Sequence, residues 1–218
     1  MPRPENLPDY TDPPINEVVV GIQFQKLSIT GAHIGAYWPR VEGRFPRVSE
    51  QPTLDPRLEN FGDPSPPALP FAFALGQPES RFWFSSASGV ELLQLQADRC
   101  LFNWRAVKDG SSYPHFEAIQ ARFWEELVNW REYASERSFE LRPNQWEVTY
   151  VNRIVIDGAE MPFSDAFSFV NAGLQKGLGG EPEATHFSCQ RVLLTETNQP
   201  WARGFLVVRM AQIGRAHV

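Results

Sequence analysis

The chain has few of the residues that form covalent cross-links or clusters of positive charge. Its 218 residues include two cysteines, and its 20 basic residues are nearly all arginine, with lysine only at Lys26, Lys108 and Lys176. The two cysteines, Cys100 and Cys189, lie in strand-like segments. This placement predicts buried thiols in a reducing compartment and argues against a disulfide framework.

Long apolar runs are missing as well. No segment stays apolar over the length needed to span a bilayer, and the proline-rich N-terminus lacks the apolar core of a secretory signal. The formal net charge is −6, from 26 acidic and 20 basic residues, and the basic residues form no cluster. We therefore predict a cytoplasmic protein with no membrane partner, and the charge balance argues against nucleic acid as a partner.

The standard catalytic and metal-binding motifs are absent. The sequence has no Gly-x-Ser-x-Gly elbow, no His-Glu-x-x-His and no paired Cys-x-x-Cys, and the glycine-rich segment 177–180 lacks the Lys-Ser/Thr of a phosphate-binding loop. His33, His115 and His186 are far apart in sequence, so only the fold could bring them together as metal ligands. We predict no catalytic residue, no metal and no cofactor, and whether the protein is an enzyme stays open.

What the sequence does contain is a strand-rich stretch followed by a long helix. Apolar and polar residues alternate over 91–105 with a turn at 97–99, which predicts a hairpin, although a single bulged strand also fits. After Tyr113-Pro114, apolar residues recur every three or four positions, which predicts an amphipathic helix packed on a sheet. Glu125 and Glu126 are expected to face solvent. The apolar stripe consists of Phe116, Ile119, Phe123, Leu127, Trp130 and Ala134.

The other segments complete an α+β pattern. Residues 45–78 are rich in proline and predict a long irregular connection, in which 69–75 could pack back onto the sheet. Helices and strands in this order predict a mainly antiparallel sheet, with one long helix and one or two shorter helices packed on one face. Strands are predicted at 17–24, 81–86, 145–156, 186–196 and 204–211, and shorter helices at 30–41 and 164–170.

The two ends of the chain differ from its middle. Residues 1–16 predict an extended arm, and 17–212 a single α+β domain. Residues 213–218 match the translation of a widely used sequencing adapter in one reading frame. In the adapter the nucleotides AG come immediately before this stretch, and a glutamine codon at position 212 can end in AG. We expect that 213–218 are foreign to the protein, that the natural sequence is interrupted near Ala211 or Gln212, and that the domain is incomplete at its C-terminus.

Polar residues that interrupt strand patterns are the candidate binding residues. Asn152 lies on an otherwise apolar strand face, so its amide either bonds to a neighbouring strand or contacts a ligand in a cleft. Asn103, Arg105 and Arg153 would line the opposite face, where arginine suits an anion. The alternative is that this face is simply solvated.

Four short motifs occur along the chain in the order Pro14–Val20, Phe102–Arg105, Tyr113-Pro114 and Tyr150–Asn152. In these motifs the chain resembles a sporadically distributed family of uncharacterised prokaryotic proteins, over most of residues 13–156. The resemblance implies a cytoplasmic α+β protein whose relatives continue past the end of this chain, and it brings no catalytic residues. The patchy distribution of the family suggests an accessory gene, such as one for phage defence.

Three functions follow as hypotheses. The first is a non-enzymatic binding or interaction module for an unknown protein or small ligand. The second is an enzyme with a cleft near Asn152 and Arg153, and the third a nucleic-acid binder that stacks bases on Phe82, Phe84 and Trp104. An open apolar patch would favour the first hypothesis and a buried pocket of converging polar groups the second, whereas covered sheet faces would exclude the third.

Overall fold

A computed structural model of the chain describes residues 10, 12–56, 58–59, 61, 80–107, 112–154 and 186–209. The chain divides into two compact units. The first consists of Met1–Leu58 and Pro66–Ile154, and the second of Glu59–Ser65 and Val155–Val218. The class is α+β with mainly antiparallel sheet, as predicted. The prediction of a single domain over 17–212 stays a prediction.

The described residues of the first unit form a six-stranded antiparallel sheet and two α-helices. In space its strands follow the order β2-β3-β4-β5-β1-β6, so that β2 and β6 form the two edges. The strands are β1 (Ile15–Phe24), β2 (Arg47–Pro52), β3 (Ser80–Ser85), β4 (Glu91–Gln96), β5 (Arg99–Arg105) and β6 (Pro143–Asn152). The helices are α1 (Gly31–Tyr37), which continues into a 3-10 turn at Trp38–Arg40, and α2 (Phe116–Glu136).

The predicted hairpin is confirmed at the centre of the sheet. β4 and β5 pair antiparallel from Glu91 opposite Trp104 to Gln96 opposite Arg99, which leaves 97–98 as the turn. Because side chains alternate between the two faces of a strand, each strand sends one set of residues toward α2 and the other set to the opposite face.

The core lies between this sheet and α2, which contacts β5 and β1. Five of the six predicted stripe residues of α2 are buried, and Phe116 is partly buried against them. At the centre, Trp130 is fully buried. Its ring lies edge-on to Tyr37 of α1 with centroids 5.1 Å apart, and stacks on Tyr133 at 5.6 Å. The amphipathic pattern therefore marked the buried face of the helix correctly.

Tyr37 buries a hydroxyl that has no hydrogen-bond partner among the described residues. A buried donor without a partner costs about 1–3 kcal/mol. Tyr37→Phe removes the hydroxyl and keeps the ring, so we expect a free energy of unfolding that is unchanged or raised by up to about 1 kcal/mol. Urea unfolding of both proteins, followed by tryptophan fluorescence, measures the difference. A loss of more than about 1 kcal/mol would mean that the hydroxyl does have a partner in the folded protein.

The observed elements differ from the predicted ones in several places. Residues 47–52 lie in the predicted irregular connection but form β2, because Val48 and its neighbours pair with β3. β6 ends at Asn152, and α1 is shorter than 30–41 because the chain tightens into the 3-10 turn. The predicted helix at 164–170 and the 69–75 segment lie outside the described residues.

The second unit contains an antiparallel hairpin of β7 (His186–Leu194) and β8 (Pro200–Arg209), which confirms the predicted pairing of these segments. β8 begins earlier than the predicted 204. Within the same unit, Arg203 Nε lies 2.5 Å from Glu59 Oε2.

Candidate functional site

Two of the four predicted binding residues, Asn103 and Arg105, meet on the sheet face opposite α2. Oε1 of Glu17 accepts hydrogen bonds from Asn103 Nδ2 at 2.6 Å and from Arg105 Nε at 3.1 Å. Gln94 Nε2 donates to Asn103 Oδ1 at 2.6 Å. Asn103 is only 3% exposed, so this face is not the solvated surface considered above. It is a polar layer in which Glu17, Gln94, Asn103 and Arg105 are joined by hydrogen bonds.

A second group in this layer surrounds Arg99, whose side chain is 7% exposed. Its Nη2 donates to Gln23 Oε1 at 2.6 Å and to the backbone oxygen of Asp55 at 3.0 Å. Its Nη1 lies 3.8 Å from Glu147 Oε1. The contact with Asp55 ties the segment after β2 to the sheet, so Arg99 has a structural role here.

Trp83 of β3 lies between two guanidinium groups of the same layer, 5.4 Å from that of Arg81 and 5.0 Å from that of Arg105. Gln94 Oε1 accepts hydrogen bonds from Arg81 Nη1 at 2.8 Å and from Trp83 Nε1 at 2.9 Å. Desolvation, together with the charge of Arg99, lowers the pKa of Arg81. The arginines on this face are thus engaged by neighbouring side chains, and an anion ligand stays a prediction.

The other two predicted residues, Asn152 and Arg153, lie at the end of β6. Asn152 pairs with Ile15 of β1, and the backbone N–H of Arg153 donates to the carbonyl of Pro14 at 2.8 Å. Both residues are exposed. The sequence-based reading of Asn152 as a buried amide is wrong, because β6 is an edge strand and α2 lies over β5 and β1 instead.

Glu126 of α2 is buried, contrary to the prediction that it faces solvent with Glu125. Arg44 binds it through two hydrogen bonds, from Nε to Oε1 and from Nη2 to Oε2, both at 2.9 Å. Arg122 lies 3.6 Å from Glu126 Oε1. The hydrogen bond to Glu126 raises the pKa of Arg44. No local pattern could have revealed this, because the partner lies on a distant segment of the chain.

An open groove of about 550 Å³ lies beside this ion pair and includes Arg44, Arg122 and Glu126 in its lining. Burial raises the pKa of the Cys100 thiol and of the Tyr37 phenol, and the charge of Glu126 raises both further. Both groups therefore stay protonated at neutral pH, and a buried neutral thiol is a poor nucleophile. Cys100 is a packing residue, as predicted, whereas Cys189 is partly exposed and not buried.

A continuous apolar strip is exposed along α2 and β6. We call it the α2–β6 strip, and it consists of Trp124, Val128, Trp146, Val148 and Tyr150, whose exposures run from 37% to 53%. The rings of Trp124 and Trp146 lie 5.2 Å apart. Trp146, Val148 and Tyr150 pair with core residues of β1, so the strip continues the core face of the sheet. Phe123 and Phe116 of α2 lie against Trp146 and Tyr150, each with ring centroids 6.3 Å apart, and cover them only in part.

The two edges of the sheet have opposite character. β2 carries Arg47, Glu50 and a terminal Pro52, which are residues that discourage another strand from pairing with an edge. β6 also has a terminal proline, Pro143, but it carries one charged residue, Glu147, and three large apolar side chains on its other face. A long apolar edge strand of this kind is suited to pairing with a further strand.

The aromatic residues proposed for base stacking are buried. Phe82 is 8% exposed, Phe84 is fully buried and Trp104 is 5% exposed, because all three point into the core. The nucleic-acid hypothesis in that form is wrong. Three exposed aromatic residues of the first unit, Trp124, Trp146 and Tyr150, lie instead on the α2–β6 strip.

One feature of the sequence indicated this strip, namely a second apolar face of α2 that is smaller than the predicted stripe. Trp124 and Val128 are four positions apart on the helix and lie outside the stripe, so they form a second, smaller apolar face. Such a face predicts a second contact surface. Its neighbour β6 could be identified only from the order of strands in the sheet.

No cluster of three or more metal-binding side chains occurs in the part of the chain that the structure describes. In the same residues, no helix combines the length and apolar character needed to cross a membrane. No family model, curated protein or solved structure matches the chain.

Proposed function

We propose that this protein is a non-enzymatic interaction module that binds a partner protein along the α2–β6 strip. The observation that carries the proposal is an apolar surface on the core face of the sheet, next to an edge strand that no other described strand pairs with. Contiguous exposed apolar surface is typical of protein interaction sites. A partner that adds a strand to β6 would bond the open edge and bury the strip at once.

The shape of the strip favours a protein over a small ligand. Small-molecule sites are concave and enclose most of the ligand. The strip instead follows β6 from Trp146 to Tyr150, over about 13 Å at the usual rise per residue of a strand. An extended peptide segment matches this length and offers alternate side chains to one face.

We also propose a cytoplasmic location and membership of the prokaryotic family that the chain resembles. Free thiols at Cys100 and Cys189 support a reducing compartment. The family proposal depends on the order of its four motifs. Two of them, at Pro14–Val20 and Tyr150–Asn152, lie on the paired strands β1 and β6.

Selection of peptides on the purified chain tests the interaction. A random displayed peptide library is panned on the wild-type protein, and binding of the enriched peptides is measured by fluorescence anisotropy. We expect peptides with alternating apolar residues, and we expect Val148→Lys to weaken them at least tenfold by placing a charge in the centre of the strip.

The control is the same substitution on the other edge of the sheet. Val48 of β2 is 43% exposed and Val148 of β6 is 50% exposed, so Val48→Lys introduces the same charge at a similar exposure. It should leave peptide binding unchanged. Peptides that bind both variants as tightly as the wild type would place the interaction elsewhere and contradict the proposal.

A further inference from the structure

We infer that the partner on the α2–β6 strip is a second copy of this chain, with β6 pairing antiparallel to β6 of the other copy about a two-fold axis at Val148. The inference rests on the proposed function, since it names the occupant of the same surface. The observation behind it is the sequence of β6, which can pair antiparallel with β6 of a second copy.

The residues of β6 match when the axis passes through Val148. Trp146 of one copy then lies opposite Tyr150 of the other, on the apolar face, and Val148 lies opposite itself. On the opposite face Glu147 lies opposite Thr149. Aromatic pairs directly across two strands are favourable, and no like charges lie directly opposite each other in this register.

Neighbouring registers are worse. Directly opposite residues of an antiparallel pair have their side chains on the same face of the sheet. Because successive residues of a strand point to opposite faces, the two-fold axis must lie between the two copies of one residue. An axis at Glu147 sets two carboxylates against each other, which is unfavourable. An axis at Thr149 sets Trp146 against the amide of Asn152 and leaves the aromatic rings unpaired. The sequence of β6 therefore favours Val148 over these two adjacent registers.

The helices extend the same interface. Trp124 contacts Trp146 within one copy, and Val128 follows it one helical turn later. In the paired arrangement the strips of both copies adjoin on the same face of one continuous sheet. The other edge, β2, carries Arg47 and Glu50, so pairing stops after two copies and gives a closed dimer and not a filament.

Two measurements on the 218-residue chain test this inference. Light scattering after size-exclusion chromatography should give a dimer, and Val148→Lys should weaken dimerisation at least tenfold, whereas Val48→Lys should not. In a Cys189→Ser background, Val148→Cys should form a disulfide-linked dimer under mild oxidation, because opposite side chains at the axis come within about 5 Å. Val48→Cys in that background is the matched control. The disulfide test does not require a charged variant to fold.

Several outcomes overturn the second copy, and they differ in whether the proposed function survives: it does when another protein supplies the strand, and it does not when the chain's own continuation covers the strip. A chain that stays monomeric while selected peptides still bind to the strip would show that another protein supplies the strand. A dimer that resists Val148→Lys, or cross-links through Val48→Cys, would use another surface. If the gene continues past Gln212, a monomeric longer chain with β6 amides protected from hydrogen exchange would show that its own continuation occupies the strip. Failure of both dimerisation and peptide binding would reject the proposed function as well.

Discussion

Replacing Arg44 with methionine is expected to lower the free energy of unfolding of the first unit by about 3–5 kcal/mol. The substitution leaves the carboxylate of Glu126 fully buried, with Arg122 at 3.6 Å as its remaining cationic neighbour. Arg122 is already bound to Glu91 at 3.1 Å and cannot replace the two hydrogen bonds of Arg44. Urea unfolding followed by tryptophan fluorescence measures the loss, since six of the seven tryptophans lie in this unit.

The control is Glu126→Met, which removes the buried carboxylate and leaves the guanidinium group of Arg44 in its place as the unpaired charge. Glu126→Met leaves Arg44, which is 39% exposed and can turn to water, so we expect a smaller loss of about 1–2 kcal/mol. The double variant, with methionine at both positions, should be more stable than Arg44→Met alone because no buried charge remains. Equal losses of unfolding free energy for the two single variants would contradict this account. They would show that the destabilisation comes from losing the ion pair and not from leaving a buried carboxylate without its partner.

Trp130→Ala is expected to lower the free energy of unfolding by about 3–5 kcal/mol. The indole is fully buried between Tyr37 and Tyr133, and its removal leaves a cavity at the contact of α1 and α2. The neighbouring rings are fully buried themselves and have little freedom to fill that cavity. Urea unfolding followed by circular dichroism avoids the loss of a fluorescent reporter.

Trp124→Ala is the matched control, because it removes the same side chain six positions earlier on the same helix. Trp124 is 45% exposed, so its removal should cost less than about 1 kcal/mol of folding stability. It should nevertheless weaken peptide binding, because Trp124 belongs to the α2–β6 strip. Similar destabilisation by the two variants would mean that Trp124 is part of the core and that the strip is not an available surface.

The elements that sequence predicted well are those whose pattern is local. The stripe of α2 repeats over a long helix, and each of its large residues reports the same buried face. The β4–β5 hairpin joins two alternating strands through a short turn, so both strands and their pairing lie within one stretch of sequence. β2 has neither advantage. It is short, polar and proline-flanked, and it is a strand only because β3 pairs with it.

The candidate site was also only partly predictable from local sequence. Asn103 and Arg105 were singled out because they share the polar face of an alternating strand, where arginine suits an anion, and the structure brings them together on Glu17. The burial of Asn103 was not predicted, because it depends on what covers the far face of the sheet. Glu126 was assigned to solvent, since nothing near it in sequence shows that Arg44 would reach it.

The amino-acid sequence by itself determined the α+β class, the buried face of α2 and the central hairpin. The reason is that helical and strand periodicities can be recognised from residues that are close together in the sequence. Only the tertiary structure decided that β6 is an edge. The same alternation of Trp146, Val148 and Tyr150 would serve equally well in a central strand, where all three would be buried. Their exposure follows from the order of strands and from the placement of α2 over β5 and β1, which are long-range contacts that no local pattern records.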